Sequence, residues 1–556
     1  MLDNKVKEWY NVVILMKGGK IIKMKKQSTA YYIDIQTHRN NPYGLVRRSY
    51  REDGKVKKET LCRLPPLSLE KLRMMQAAMS DKVILKEDFK ILESREYGAS
   101  YVCLTLMKQL GLHTDIFSRP SEEWVRSSLA MIAGRLVYAG SKLALSHCGS
   151  YSALWETCGI DDVDVDIHCY NAMDRLFERQ DAIQKKLADK HLKDGCLVLY
   201  DITSCYMEGE YKHSELVDFG YNRDRKRGHE QIVISLLCTK DGCPVAVEVF
   251  AGNTKDETTV LDKVDEIQKK YGIEKVVFVG DRGMVAQTKY EQLDHEKVKV
   301  ISALTHGKIK SLCEEEVIQI SMFDEENIVE VIDGDLRYCL CKNPDMAAKE
   351  TASRQSLLAK TRVELDKIIS CTRKTKYSKE VRIGKVLDKY NMGKFIVIEG
   401  CGDSLTYTLD DDKIRQEAAL DGCYVIFTDV SAEDMTAIET VENYKNLMKV
   451  EQAFRNMKTV QLEIRPVYHK TDNRIKCHVF ICMLAYYVMW HMNQRLKPLF
   501  ETNGVGKDRK FTFDYVIEIL KSLRNNTVDI CGVKSTVITT PNVEQQQILN
   551  LLNIAL

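Results

Sequence analysis

Residues 197–203 read LVLYDIT, and the fold is decided there. Leu197 to Tyr200 make a short apolar strand, which Asp201 interrupts before Ile202 and Thr203. A carboxylate in or just past a buried strand is costly unless something compensates its charge. Outward from it, IVISLLC (232–238) and PVAVEVF (244–250) are two more strands, joined through a Lys240-Asp241-Gly242 hairpin turn. A helix over 256–272 follows, with Val260, Leu261, Val264 and Ile267 on one face. VVFVGD (276–281) is a continuous apolar strand, the pattern of burial on both faces, and Asp281 ends it. Antiparallel strands, a right-handed crossover helix and a buried parallel strand predict a mixed α/β core. That topology sets strands 197–203 and 276–281 side by side, so that Asp201 and Asp281 face each other.

The texture differs on either side. Residues 30–64 alternate as strands do, in YYIDI, LVRRSY and VKKETLC, with Asp53-Gly54 as a hairpin turn and Pro65-Pro66 as a stop. From 67 to 195 the apolar spacing becomes helical, most clearly at 101–112, 124–140 and 172–192. Residues 306–420 are less regular and read as an insertion. Strand-like NIVEVIDG (327–334), LRYCLCK (336–342) and KFIVIEG (394–400) accompany a long charged helix near 345–371. The α/β pattern resumes at CYVIFTD (423–429). It continues through a helix from about 432 into 443–460, an apolar helix at 474–493 and a last helix near 513–524. The expected fold is therefore multidomain α/β. Its divisions are a basic β region (1–66), a helical domain (67–195), a core in two parts (196–305 and 421–500), an insertion (306–420) and a C-terminal helical region (501–556).

Composition excludes several classes. Of 556 residues, 44% are hydrophobic and 29% charged, which rules out collagen and a disordered chain. The most apolar run, 478–490, is shorter than a bilayer crossing and reads as a buried core helix, so no membrane partner is expected. No export signal is legible, which points to the cytoplasm. The 18 cysteines are scattered without a C-x-x-C. Cys339 and Cys341 have the two-residue period of one strand face, the mark of buried thiols rather than a zinc site. The formal net charge is only +2. Locally the balance is basic: residues 1–60 hold 14 Lys/Arg against 6 Asp/Glu, an excess of 8. Further clusters are Arg223, Arg225, Lys226, Arg227 with His229, and residues 360–385 with Arg373, Lys374 and Lys376. Such clusters can bind phosphates in an otherwise neutral protein.

A third acid joins the two strand-end aspartates. In the helix over 443–460, Tyr444, Glu451 and Lys458 are seven residues apart and stay within ~20° per step of one line. Leu447, Val450, Phe454 and Met457 form a neighbouring apolar stripe, so Glu451 sits at the edge of the packing face. An ordinary amphipathic helix with a solvated Tyr/Glu/Lys row fits that segment equally well. For Asp201, Asp281 and Glu451 together the simplest compensator is Mg²⁺, which takes a few carboxylate oxygens and keeps waters for a phosphate. Two ions roughly 3.5–4 Å apart could then serve the attacking and leaving oxygens of a phosphodiester.

At these residues the chain resembles the DDE transposases of bacterial insertion sequences. The narrower likeness is to the group with a ribonuclease H-like core interrupted by a β-rich insertion before the catalytic Glu. The resemblance runs through LYDIT around Asp201, GYNRDRKRGHEQIVISLL (220–237), PVAVEVFAGNTKDETT (244–259), VVFVGDRGMV (276–285), DGCYVIFTD (421–429) and YKNLMKVEQAFRNMK (444–458). It implies that Asp201, Asp281 and Glu451 are catalytic metal ligands for two Mg²⁺, with Mn²⁺ able to substitute. It implies that Tyr444 and Lys458 hold phosphates. Leu447 stands where the group has an Arg, a contact that Arg455 could supply, and Lys226 and Arg227 join the DNA-binding set. Residues 252–256 match as a structural turn and helix start, and His478 as a core histidine. The implied activity is cutting of element ends and their joining to target DNA, by a homodimer on paired terminal inverted repeats. Two alternatives keep the same core: an inactive or repurposed DNA-binding protein, and a structure-specific nuclease. A two-carboxylate glycosidase lacks a tryptophan beside the acids to serve as a sugar platform.

Overall fold

The LVLYDIT stretch lies inside a strand that pairs on both sides, and the rest of the sheet is built out from it. A computed structural model describes residues 30–38, 41–52, 54–79, 89–116, 119–223, 226, 228–254, 256–282, 284, 290–324, 328–373, 376–501, 510–530 and 533–556. Arg225, Arg227, Lys374, residues 1–29 and the Val260 and Leu261 side chains lie outside the described set, so those sequence readings have no structural counterpart. The chain divides into two units, residues 1–95 with 524–540 and residues 96–523 with 541–556.

In the first unit β1 (Ala30–His38), β2 (Asn41–Glu52) and β3 (Lys55–Arg63) form an antiparallel meander. Gly54 takes a left-handed φ of 74° in the β2–β3 turn, as the Asp-Gly signal required. Helix α1 (Leu69–Met79) lies against β1, where Gln76 donates to the Ile33 carbonyl at 2.6 Å. Strand β4 (Phe89–Glu96) follows.

The second unit opens with helices that include α2 (Gly98–Gln109), α3 (Glu123–Val137) and α4 (Gln180–His191). Then come β5 (Cys196–Tyr206), β6 (Gln231–Thr239), β7 (Pro244–Ala251), α5 (Asp256–Tyr271), β8 (Val276–Gly280) and β9 (Val298–Ala303). Within α5, Val264 and Ile267 are buried, as the periodicity predicts. Strand β5 pairs antiparallel with β6 and parallel with β8, and Tyr200 lies opposite Gly280. Gly242, with φ 87°, turns the β6–β7 hairpin.

Strands β10 (Val329–Asp333) and β11 (Leu336–Lys342) do not stay apart in an insertion. They extend the main sheet, which runs β10-β11-β14-β9-β8-β5-β6-β7, with β14 at Cys423–Thr428. Cys339 and Cys341 are buried on β11, and all 17 described cysteines are free. The remainder of the insertion corrects the expectation of a β-rich segment. Helices α6 (Pro344–Ile369) and α7 (Lys379–Tyr390) dominate it, with only the short hairpin β12 (Ile396–Glu399) and β13 (Thr406–Leu409). The reason is local: Asn343 caps α6 at the Asp345 and Met346 amides, and Leu358, Thr361, Leu365 and Ile368 bury one helical face. With Ile383, Val386 and Phe395 that face forms a small core of its own.

After β14 come α8 (Ala437–Lys445), α9 (Leu447–Arg455) and α10 (Asp472–Glu501). Helix α10 is long and apolar enough to cross a membrane, but 83% of its most apolar window is buried inside the fold. It is the central core helix. His478 on it is buried, its Nε2 2.9 Å from the Ile464 carbonyl, and burial holds it well below the usual histidine range. The C-terminal segment is not wholly helical. After α11 (Phe513–Lys521), strand β15 (Arg524–Ile530) pairs with β16 (Val533–Ile538) on one side and with β4 on the other, in the first unit, before α12 (Val543–Leu552) returns to the second.

Candidate active site

The register of β5 and β8 sets two acids side by side. Asp201 and Asp281 each follow one member of the Tyr200–Gly280 pair, on neighbouring parallel strands. Such strands lie about 4.8 Å apart. Asp201 is partly buried, and its Oδ1 accepts from the Ile202 amide at 2.7 Å. Burial nevertheless pushes its carboxyl up to about 7, with further help from Asp281 and Glu451 and against the pull of Arg223. Asp281 is exposed; its Oδ1 accepts from the Arg282 amide at 2.6 Å and the Tyr444 hydroxyl at 3.2 Å. Burial and the neighbouring Asp281 also raise Glu451.

Glu451 is exposed on α9, whose opposite side buries Leu447, Val450, Ala453 and Phe454. The single helix expected over 443–460 is in fact three segments: α8, α9 and a π turn over Asn456–Val460. The wider turn takes Lys458 off the Glu451 line. Lys458 is buried, and its ammonium donates to the Ser204 carbonyl at 2.6 Å and Thr203 Oγ1 at 3.2 Å.

The three acids share a cavity of about 390 Å³ with Arg223, Arg455, Lys458 and Arg465. Leu447 is not among the lining residues; it is 7% exposed in the main core. Lys226 lies near the cavity's cationic side, its ammonium 5.6 Å above the Tyr206 ring, over which Arg465 also stacks at 4.3 Å. Arg227 lies outside the described residues. Sequence reasoning left Arg465 out, because nothing marks it except its place before Pro466. It had Arg223 only as part of a basic cluster.

Arg223 is tied to β5, and the loop that leads to it is tied to the turn after β7. The Arg223 amide donates to Ser204 Oγ at 2.9 Å. Gly252 donates to the Leu216 carbonyl at 2.9 Å, and Asn253 Nδ2 donates to Asp218 at 2.7 Å. A Cβ on Gly252 would stand 2.1 Å from the Gln231 carbonyl oxygen and 2.3 Å from that of Asp218. Backbone cannot move aside as a side chain can. Gly252→Ala is expected to cost about 1–3 kcal/mol and to lower Tm. An unchanged thermal melt would show that this contact is not needed.

An all-oxygen, hard donor set with two raised carboxyls fits a divalent cation of the Mg²⁺ class. The three acids line one cavity without one oxygen from each lying within 4.8 Å of the other two. Among the described residues, the one His/Cys/Asp/Glu trio in which one donor atom from each lies within 4.8 Å of the other two is His191, Cys243 and His491.

No curated protein matches the chain. Among solved structures it is similar to the piggyBac transposase synaptic complex with hairpin DNA, over 77% of this chain and 80% of that one. The identity is 9% and the TM-score 0.35, a likeness too slight to argue from. The family comparison is of another kind: residues 193–488, more than half of the chain and the stretch carrying all three acids, match the transposase DDE domain, and the protein belongs to that family.

Proposed function

We propose that this protein cuts DNA at the ends of a mobile element, of the bacterial insertion-sequence kind, and joins those ends to target DNA. The observation that carries the reading is the single cavity lined by Asp201, Asp281 and Glu451 with four cations. The strand order β7-β6-β5-β8-β9 supports a ribonuclease H-like core beneath it. In this reading the chain works in the cytoplasm as a homodimer on paired terminal inverted repeats. The regions before the core (1–66 and 67–195) bind DNA ends and dimerise, and the insertion (306–420) interrupts a core split between 196–305 and 421–500.

Asp201, Asp281 and Glu451 would hold two Mg²⁺ ions, or Mn²⁺ in their place. The chemistry such ions supply is activation of the attacking oxygen and neutralisation of charge on the leaving one. The chain's own residues do the rest. Tyr444 holds the Asp281 carboxylate through its hydroxyl. Lys458 ties the end of α9 to β5 beside Asp201. Arg223, Arg455 and Arg465 offer fork-shaped donors to phosphate oxygens, with Lys226 alongside.

The test is cleavage of duplex DNA carrying the repeats that flank the reading frame. Expected are Mg²⁺-dependent 3′-OH ends and joined products. Cutting without joining would favour a structure-specific nuclease, and binding without cutting a repurposed DNA-binding protein. Binding should weaken with salt, with a log–log slope of about −5 for roughly six phosphate contacts.

The pH response follows from Asp201, whose carboxyl rises from 3.8 to about 7 on folding. A raised carboxyl contributes stability that is fully present below its unfolded value and is lost as pH rises through its folded value. That contribution therefore disappears between about pH 4 and pH 7 in metal-free protein. A cation that needs the ionised form reverses the cost. Added Mg²⁺ is expected to raise Tm more at about pH 8 than at about pH 5. Equal shifts at both would remove Asp201 from the ligand set.

A further inference from the structure

His191, Cys243 and His491 are far apart in sequence and together in space. His191 ends α4, Cys243 stands at the β6–β7 turn just before β7, and His491 lies within α10. One donor atom from each lies within 4.8 Å of the other two. The imidazole centroids of His191 and His491 are 5.7 Å apart. Tyr487 braces both rings: it meets His491 edge-on at 4.6 Å, and its hydroxyl is 2.9 Å from His191 Nε2. Cys243 is 1% exposed, and among the described residues its thiol has only a long 3.9 Å contact with the Pro244 carbonyl. His491 Nε2 is buried and has no hydrogen-bond partner. A buried polar atom left without a partner calls for an explanation.

We propose that His191, Cys243 and His491 bind one divalent ion of the zinc type, at a site separate from the carboxylate recess. Two imidazole nitrogens and a thiolate suit Zn²⁺ and not Mg²⁺ or Ca²⁺, which take oxygen. Burial keeps His491 neutral, at about 4, and the neutral ring is the ligand form. Asp115, the nearby carboxylate, is engaged by Lys190 at 2.5 Å. The ion would pin the end of α4, the β6–β7 turn and α10 to one another. That turn also anchors the helix of Glu451, because Lys449 on α9 donates to the Lys240 carbonyl at 3.1 Å. The site would therefore act as a structural clip, and it does not depend on the transposition reading.

The test uses the full chain, reduced and stripped of metal, titrated with Co²⁺. A cobalt–thiolate charge-transfer band should appear, saturate at one equivalent per chain and vanish on adding Zn²⁺. The carboxylate recess has no sulfur, so a variant with Asp201→Asn, Asp281→Asn and Glu451→Gln together should keep the band. Cys243→Ser should abolish it. His491→Gln should weaken Zn²⁺ binding by at least about 100-fold, the most that loss of an outer-shell partner alone costs, in competition with a chromophoric chelator. Zn²⁺ should raise Tm in the parent and in neither single-site variant. Absence of the band at one equivalent overturns the proposal. So does a band that survives Cys243→Ser, which would assign it to another cysteine. If Cys243→Ser fails to fold, the His491→Gln affinity decides: unchanged binding there refutes the site.

Discussion

Asp201→Asn, Asp281→Asn and Glu451→Gln should each reduce Mg²⁺-dependent strand cleavage by about 1,000-fold or more, because the acids act as one unit. DNA binding should survive, since the cations lining the cavity are untouched. A second readout separates loss of chemistry from loss of fold. In metal-free protein near neutral pH, Asp201 carries a cost from burial and from the charges of Asp281 and Glu451. Asn removes that charge, and its side-chain oxygen can still accept from the Ile202 amide. Asp201→Asn should therefore melt at or above the parent temperature without metal and lose the rise on adding Mg²⁺. Near-parent cleavage in any of the three variants would end the metal-ligand assignment.

Leu447→Arg tests the one departure from the expected signature. If that position faced the DNA, restoring Arg would improve activity. Leu447 instead heads the buried side of α9, in the same core as Val450 and Phe454. A guanidinium there loses apolar burial and must either lie unpaired in the core or push α9 outward. The expected result is a loss of about 2–4 kcal/mol in stability and lower cleavage. Arg455→Gln is the counterpart. Arg455 is exposed, lines the cavity and lies one turn past Glu451. Its loss should weaken DNA binding and cleavage with little change in Tm. Faster cleavage by Leu447→Arg would mean that α9 presents a different face to DNA.

Much of this was legible because the signals were local. Continuous apolar runs marked β5 and β8, Gly242 marked the β6–β7 turn, and two aspartates at matching strand ends implied a shared pocket. The break between α8 and α9 was not legible. Residues 443–460 carry one unbroken helical pattern, and only the π turn over Asn456–Val460 swings Lys458 onto the end of β5. Nor did anything local assign β10 and β11 to the main sheet. Their alternation suits any half-buried sheet, and their place follows from the unpaired edge that β14 would otherwise present.

By itself the sequence indicated the strands and crossover helix of the core, the β5–β6–β7 meander and the two strand-end aspartates, because hydrophobic period and turn chemistry act over a few residues. Only the tertiary structure decided which cations share the acids' cavity, that Leu447 belongs to the core, and that His191, Cys243 and His491 meet. Those are contacts between segments tens to hundreds of residues apart. They are set by how whole helices pack on the sheet, and no spacing along the chain encodes them.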